Sequence, residues 1–250
     1  MGLASVRVIH TLPAVHIEAC GPCYSVPRLC ESLIAAGVPT KLAVLDWVPG
    51  TKAPPYVERF PPGFGPGWLG RSPAMARWLV ECVRNGKVQV IYSHGLWMMP
   101  NVYPGWAKKV GDVRLIVSPL GTLSEWALNH YAVRKRVFWV FLQRQTLERA
   151  DCFHVTAESG LEDIRRLGFR QPVAVLPNGI DVPSYDKPVP GARCRLLYLG
   201  GIHKKRDRPA APDLWVSWLA IQLTKVLSPK VPAAMPCHDS SPRGVEPCSS

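Results

Sequence analysis

Apolar runs alternate with amphipathic stretches over most of the chain, and this alternation predicts a parallel sheet with helical crossovers. The apolar runs are rich in Val, Ile and Leu, as is typical of strands covered on both faces. The fold class that follows is α/β, a Rossmann-like parallel sheet with ligands at the carboxyl ends of its strands. The predicted strands are Ser5–His10, Thr40–Leu45, Val88–Ser93, Val113–Ser118, Cys152–Thr156 and Val173–Leu176.

Helices are predicted between these strands, and most of them are followed by a glycine, which is the usual residue just past a helix end. The long segment Pro49–Pro73 holds many Pro and Gly residues, so it is predicted to be an irregular surface loop. The predicted helices are Ser25–Ala36, Pro73–Asn85, Asn101–Lys109, Ser124–Ala150 and Ser159–Leu167.

The apolar pattern is lost after Lys205. Residues 1–182 are predicted to form one domain, and residues 183–205 a proline-containing hinge with the first strand of a second domain. Residues 206–250 hold seven prolines and no periodicity. One permitted codon set for Arg206–Asp213, read one nucleotide later, encodes Gly-Ile-Asp-Leu-Leu-Leu-Arg, a plausible helix start. We therefore predict that residues 206–250 are out of frame and that the chain is the truncated first half of a two-domain enzyme.

The chain carries a formal net charge of +12, and residues 206–250 contribute almost none of it, with five Lys/Arg against four Asp/Glu. Such a surplus favours anionic partners such as nucleotide phosphates or anionic lipid headgroups. No zinc-finger, RNA-recognition or helix-turn-helix signature is present, which argues against a nucleic-acid partner. Eight scattered cysteines without a secretory signal, and no apolar run long enough to span a bilayer, predict a cytoplasmic protein.

A loop with small residues follows the first predicted strand. Gly21 and Pro22 precede a helix there, so backbone amides at its N-terminus could approach an anionic group; a tight turn is the alternative. The run from Cys20 to Cys23 also spells Cys-Gly-Pro-Cys, the sequence of a thioredoxin active site. Ala19 stands where that motif usually has Trp, and the chain is much larger than that fold. Chance cysteines are favoured, and a thiol-disulfide oxidoreductase stays open as a minor alternative.

Polar residues follow two further predicted strands. His94 comes directly after Val88–Ser93, where an imidazole could donate to a sugar hydroxyl or a phosphate oxygen; capping the helix region at Asn101 or packing on Trp97 is the alternative. Gly121 and Thr122 follow the next strand and would line the same crevice.

Two basic segments also invite a functional interpretation. Arg134, Lys135 and Arg136 adjoin aromatic residues, so this helix could lie on an anionic membrane at the inner face, or could be a partly buried helix with a charged outer face. Lys204 and Lys205 follow a predicted strand and could pair with a diphosphate, or could be two solvated lysines. Asn178 and Gly179 form a strong turn signal before the predicted hinge.

Several blocks, in this order and spacing, resemble the family-4 (group 1) glycosyltransferases of the GT-B fold. The resemblance covers roughly residues 5–205 and is carried by Gly21-Pro22 with Ser25-Val26, Ser93-His94-Gly95-Leu96-Trp97, Ser118-Pro119-Leu120-Gly121-Thr122-Leu123, Ala150-Asp151 with His154-Val155-Thr156-Ala157, Pro177-Asn178-Gly179-Ile180-Asp181 and Tyr198-Leu199-Gly200.

This resemblance implies two Rossmann-like domains, of which the present one holds the acceptor and the missing one most of a nucleotide-sugar. It implies transfer with retention of configuration, no cofactor and no obligatory metal, in bacterial surface polysaccharide synthesis onto a glycan or lipid-linked acceptor. It makes His94 the catalytic residue. The substrate-binding residues would be Gly21, Pro22, Gly121, Thr122, Asn178 and Gly179, with Lys204 and Lys205 on the donor diphosphate.

The chain also departs from the family pattern. Gly201 stands where the family usually has an Arg for the diphosphate, and the donor-binding Glu-x7-Glu element is absent. Without that half of the site, no preorganised charges would stabilise the leaving diphosphate. We therefore predict that the chain is inactive as written, and a non-catalytic α/β binding module remains the main alternative.

Overall fold

The computed structural model describes residues 7–15, 20–50, 52–129, 132–179 and 181. Within them, seven strands form one sheet in which every hydrogen-bonded pair is parallel. This confirms the predicted α/β, Rossmann-like class. The strands are β1 (Val8–Thr11), β2 (Thr40–Leu45), β3 (Val57–Phe60), β4 (Val90–His94), β5 (Arg114–Ser118), β6 (Cys152–Val155) and β7 (Val173–Val175).

Helices connect most consecutive strands. Short 3₁₀ segments lie at Gly67–Leu69, Met99–Asn101 and Lys108–Val110, and a π-helical segment lies at Trp139–Gln143. No helix of the described residues is long and apolar enough to cross a membrane. The α-helices are α1 (Gly21–Ala35), α2 (Pro73–Arg84), α3 (Tyr103–Ala107), α4 (Glu125–Asn129), α5 (Ala132–Phe138), α6 (Arg144–Glu148) and α7 (Glu158–Arg166).

The strand order is β3-β2-β1-β4-β5-β6-β7, so the direction of the chain across the sheet reverses at β1. After β1 the chain moves outward to β2 and β3, and it then crosses back to β4 on the other side of β1. In such sheets the crevice at the carboxyl ends of the two strands flanking the reversal is the usual ligand site. The fold therefore points to the ends of β1 and β4.

The two faces of the sheet are buried by different helices. On one face, Leu42 and Val44 of β2 pack with Val26 and Cys30 of α1. On the opposite face, Ala43 belongs to a larger core, to which the other long helices contribute. Because side chains alternate along a strand, every second residue of each strand points toward the α1 face. The helix residues of the larger core include Met75, Leu79, Tyr103, Leu147 and Ile164.

Strand β3 lies inside the segment that was predicted to be an irregular loop, so that prediction was wrong. It is a four-residue edge strand, and Glu58 within it pairs with Lys41 at 2.5 Å. Short edge strands with charged side chains are common, because they discourage pairing with other chains. Because β3 contains charged residues and lies among Pro and Gly residues, its sequence lacks the apolar alternation by which a strand is recognised.

The predicted single helix Ser124–Ala150 is instead divided into α4, α5, the π-helical segment and α6. The amphipathic pattern predicts helical character correctly, yet it does not predict where the helix is interrupted. Helix α1 begins at Gly21, four residues before the predicted start at Ser25. The predicted hinge at residues 183–205 and the predicted out-of-frame residues 206–250 lie outside the described residues.

Candidate functional site

Polar side chains occupy the α1 face of the sheet near the carboxyl ends of the central strands. The strand register pairs His10 with Tyr92 and His94 with Ser118, which places all four on one face. His154 on β6 lies two residues beyond Cys152, whose partner in the register is Ile116, so it shares that face. The site predicted at the ends of β1 and β4 is therefore a cluster of imidazoles, a phenol and a hydroxyl.

A cavity of about 460 Å³ opens over this cluster. The stretch of α1 from Ser25 to Ser32 forms one wall, the strand ends form the floor, and the chain that follows β7 forms another wall. A volume of this size is within the usual range for small-molecule sites. The polar residues that line it are Ser25, Arg28, Ser32, Tyr92, His94, Ser118, His154, Asn178 and Asp181.

His10 and His94 form a buried pair. Nδ1 of His10 lies 2.9 Å from Nε2 of His94, and the two side chains are 0% and 2% exposed. Burial lowers the pKa of His10 to about 4, because a charged ring would lose its hydration. The pKa of His94 is also lowered, mainly by burial and further by His10 and His154. Both rings are therefore neutral at physiological pH.

A second hydrogen-bonded chain ties the sheet to the segment after β7. The hydroxyl of Tyr92 is hydrogen-bonded to Nδ1 of His154, and Nε2 of His154 lies 2.9 Å from the carbonyl oxygen of Leu176. A carbonyl only accepts, so Nε2 carries the proton, and in the neutral ring Nδ1 then accepts from the Tyr92 hydroxyl. Burial raises the pKa of Tyr92, which keeps this hydroxyl protonated. The wall at residues 176–179 is thus fixed to the cavity floor.

The loop that follows His94 is held in an unusual backbone conformation. Gly95 and Trp97 have φ values of 82° and 74°, which are uncommon for a residue such as Trp. The amide of Trp97 donates to Oε1 of the buried Gln143 at 3.1 Å. Nδ2 of Asn101 donates to the carbonyl oxygen of His94 at 2.7 Å. Such conformations persist only where the surroundings enforce them, and they concentrate at functional sites.

An ion pair crosses one side of the cavity. The guanidinium of Arg28 on α1 makes two hydrogen bonds of 2.8 Å to the carboxylate of Asp181, and a third contact of 2.6 Å to Glu31. Arg28 lowers the pKa of Asp181. Because these side chains are exposed, solvent screening leaves the pair little weight in stability. Its effect is positional, since it joins α1 to the chain after β7.

The structure brings together three of the predicted site residues. His94, Asn178 and Gly179 line the cavity. Among the described residues, Gly121 and Thr122 are not part of that lining; Thr122 donates its hydroxyl to the Pro119 carbonyl at 2.7 Å instead. The predicted diphosphate ligands Lys204 and Lys205 lie outside the described residues.

Gly21 and Pro22 are the first two residues of α1 and, within the described part of the chain, do not line the cavity. Proline has no N–H, so one of the amides that an anion could use at this helix end is missing. A Cβ on Gly21 would meet nothing within 4 Å, so the fold itself does not require glycine there.

The two cysteines of the Cys-Gly-Pro-Cys run differ in their access to solvent. Cys23 is only 6% exposed, and its thiol donates to the carbonyl oxygen of Ala14 at 3.3 Å. Cys20 is half-buried and is the N-cap of α1. Thiol exchange needs only the attacking sulfur to be accessible, which would be that of Cys20, so the burial of Cys23 leaves the oxidoreductase alternative untested.

The basic helix α5 presents only part of its charge to solvent. Arg134 and Arg136 are exposed, whereas Lys135 turns inward. Its ammonium is hydrogen-bonded to the Ala127 carbonyl and lies 5.3 Å from the centroid of the Trp97 ring. Burial lowers the pKa of Lys135. The basic surface predicted from the sequence is therefore smaller than expected.

Several residues of the site were not predicted from the sequence: His10, Tyr92, Ser118, His154 and Arg28. One signal could have found three of them. His10, Ser118 and His154, like His94, lie at or near the carboxyl end of a predicted strand, and parallel strands bring those ends to one edge. Arg28 carries no such signal, because only the packing of α1 brings it to the cavity.

Comparison with known proteins identifies the family of the chain. The family of glycosyl transferase 4-like domains matches residues 21–179, which is well over half of the chain and includes the whole cavity wall from α1 to Gly179. The chain belongs to this family. This glycosyl transferase 4-like domain thus has His94, Tyr92, Ser118 and His154 inside the matched region, whereas His10 precedes it. No curated protein sequence matches the chain significantly.

Solved structures match the same fold. Sucrose-phosphate synthase from Thermosynechococcus elongatus matches with a TM-score of 0.51 and 17% identity, over 70% of this chain and 49% of that chain. HepE from Anabaena, in complex with UDP and glucose, matches with a TM-score of 0.47 and 13% identity, over 70% of this chain and 45% of that chain. The glycosyl transferase 4-like domain described here therefore spans about half the length of these structures.

Proposed function

We propose that this chain is the acceptor-side domain of a retaining, nucleotide-sugar-dependent glycosyltransferase of bacterial surface polysaccharide biosynthesis. The observation that carries the proposal is the position of His94, which ends β4 at the reversal point of the sheet and lines a cavity inside the family region. The cavity offers hydrogen-bonding groups suited to hydroxyls, and Ser118 has a buried hydroxyl without a partner among the described residues.

In this reaction the bond between the anomeric carbon and the diphosphate breaks, and a bond to an acceptor oxygen forms on the same face of the sugar. The acceptor proton leaves with the diphosphate. Burial holds His94 neutral, so its role is to donate a hydrogen bond to a sugar hydroxyl rather than to act as an acid. A fixed donor of this kind orients the sugar relative to the acceptor, and orientation is a large share of catalysis.

The donor side rests on the sequence alone. Lys204 and Lys205 would meet the diphosphate, since an ammonium is a point charge well suited to a phosphate oxygen. The acceptor is proposed to be a glycan or a lipid-linked sugar on the cytoplasmic side of the membrane. Residues 206–250 are proposed to replace the donor-binding domain of a complete enzyme, so the chain as written should transfer little or no sugar.

The experiment compares the 250-residue chain with a version whose reading frame is restored after residue 205. Both are supplied with a panel of nucleotide-sugars and membrane lipid acceptors, and transfer is measured together with the anomeric configuration of the product. We expect transfer from the restored version only, with His94→Gln lowering it about 100-fold, because a preorganised hydrogen-bond donor is lost. Binding of an acceptor without transfer by either version would instead favour the binding module.

We further propose peripheral contact with an anionic membrane through α5 and the π-helical segment. Val133, Val137 and Phe141 are 78%, 55% and 69% exposed on successive turns, and Arg134 and Arg136 flank them. A helix with exposed apolar residues beside arginines is suited to the headgroup region of anionic bilayers. Lys135 is left out of this surface, because its ammonium is turned inward.

Vesicle sedimentation tests this contact. The chain should sediment with vesicles holding about 30% anionic lipid and much less with neutral ones, since charge and apolar area act together. Phe141→Ser and Arg136→Gln should each weaken binding. Ile34→Ser, which changes a 41% exposed apolar residue on α1, is the matched control and should bind normally. If Phe141→Ser binds anionic vesicles as well as the unaltered chain does, this surface is not the membrane contact.

A further inference from the structure

His10 is the buried neighbour of His94 and is not part of the cavity lining. Its side chain is 0% exposed, and its Nδ1 lies 2.9 Å from Nε2 of His94. The two ring planes are inclined by only 7°. A separation of 2.9 Å is shorter than the distance between stacked rings, so the imidazoles meet edge to edge. The lone pair of one nitrogen thus faces the N–H of the other, as a hydrogen bond requires.

Two proton arrangements satisfy this bond between neutral rings. In the first, His10 donates from Nδ1, and His94 accepts at Nε2 and carries its own proton on Nδ1. In the second, His94 donates from Nε2, and His10 accepts at Nδ1 and carries its proton on Nε2. The two arrangements differ in whether Nδ1 of His94, the nitrogen that is not bonded to His10, carries a proton, and therefore in whether His94 can donate a hydrogen bond to a ligand or only accept one.

The surroundings of the remaining nitrogen of His10 distinguish these arrangements. Nε2 of His10 is buried, with no hydrogen-bond partner among the described residues. The second arrangement would leave an N–H orphaned there, whereas the first leaves only a bare lone pair. Orphaned buried N–H groups are rare in proteins, and unsatisfied acceptors are less so. The first arrangement is therefore favoured.

We propose that His10 is a positioning residue that holds His94 in the tautomer protonated on Nδ1, so that His94 presents an N–H donor to a ligand in the cavity. Within the described part of the chain, Nδ1 of His94 makes no hydrogen bond, since its bond to His10 is made by Nε2. Ser118, whose hydroxyl is likewise unpartnered, lies in the same cavity and opposite His94 in the register. The functional consequence rests on the proposed function, while the tautomer itself does not.

Nuclear magnetic resonance of the full chain measures the tautomer directly. Histidine labelled with ¹⁵N gives different nitrogen shifts for protonated and bare ring nitrogens, and the signals of His94 are identified by their loss in His94→Gln. In the unaltered chain we expect a protonated Nδ1 and a bare Nε2 at His94. A protonated Nε2 at His94 would overturn the proposal without any variant.

Three variants separate positioning from simple packing. His10→Leu removes the donor that keeps Nε2 of His94 bare, so His94 should no longer hold a single tautomer, and the form protonated on Nε2, which an unconstrained imidazole prefers, should become populated. His10→Asn should keep the Nδ1 tautomer, because its amide N–H can occupy the place of the ring Nδ1–H. Thr11→Val, a buried change at the adjacent position, is the matched control and should leave His94 unaltered. An unchanged His94 spectrum in His10→Leu contradicts the proposal.

Sugar transfer by the frame-restored version gives a second readout. His10→Leu should lower kcat about tenfold or more with little change in KM, because an oriented donor is lost in the transition state. His10→Asn should retain most of the activity. If neither version of the chain transfers sugar, the proposed function fails, while the tautomer measurement still decides the role of His10.

Discussion

Acidification between about pH 7.5 and pH 5 tests whether His10 is buried as a neutral ring. In the unfolded chain its imidazole titrates near the ordinary value of 6.5, whereas burial lowers the pKa in the folded protein to about 4. Between these values the unfolded state binds more protons than the folded state. Stability is therefore complete above the unfolded value and is lost progressively as the pH falls toward about 4.

The magnitude follows from the two values. At about pH 5 the unfolded ring is almost fully protonated and the folded ring almost fully neutral, which removes about 2 kcal/mol from the free energy of unfolding. His94 adds to the loss, because its pKa is lowered as well. Tyr92, the other titratable ring packed against the pair, stays neutral throughout, since its pKa is raised. The pKa values of Asp151 and Asp181 are lowered. Protonation of these two carboxylates therefore reduces the free energy of unfolding only at pH values below this range.

The assay is urea unfolding followed by tryptophan fluorescence at several pH values. The unaltered chain should lose more stability than His10→Asn, in which that position no longer titrates, and the difference over the range should be about 2 kcal/mol. Thr11→Val should shift the whole curve while keeping its slope with pH. Equal losses in the unaltered chain and His10→Asn would show that His10 is not the group responsible.

Three further predictions concern packing, each measured by urea unfolding. Gln143→Leu removes the acceptor of the Trp97 amide and should lower the free energy of unfolding by about 1–3 kcal/mol. The control Gln145→Leu changes an exposed residue and should lower it by less than about 0.5 kcal/mol. Equal effects of the two changes would show that the bond between Gln143 and Trp97 does not stabilise the fold. Gly105→Ala would place a Cβ 2.5 Å from Oγ1 and 2.9 Å from Cα of Thr146, so it should lower the free energy of unfolding by about 1–3 kcal/mol. Gly21→Ala is the control and should be nearly neutral, because its Cβ would meet nothing within 4 Å. An unchanged stability of Gly105→Ala would refute this close approach. Leu79→Ala opens a cavity in the larger core and should cost about 2–5 kcal/mol at an unchanged dependence on urea; a cost below about 1 would mean that α2 is not packed as described.

The central strands could be predicted from sequence because their burial is expressed locally. Continuous Val, Ile and Leu runs are needed wherever a strand is covered on both faces, and Thr40–Leu45 was predicted with the bounds that the structure has. Strand β3 was missed, because an edge strand needs an apolar residue only on its covered side. The interruption of the helix after residue 124 was missed too, since an amphipathic stripe continues across a π-helical segment.

The residues of the site likewise include some that the sequence predicts and others that only the tertiary structure reveals. The sequence by itself determined that His94 follows a buried strand, and the strand order then places it at the reversal of the sheet. Only the tertiary structure decided that His10, from a strand more than 80 residues away, meets it at 2.9 Å. Strand order and register decide which side chains become neighbours, and these depend on crossovers and packing summed over the whole sheet. A local pattern records whether a residue is buried, but it does not record which residue will lie beside it.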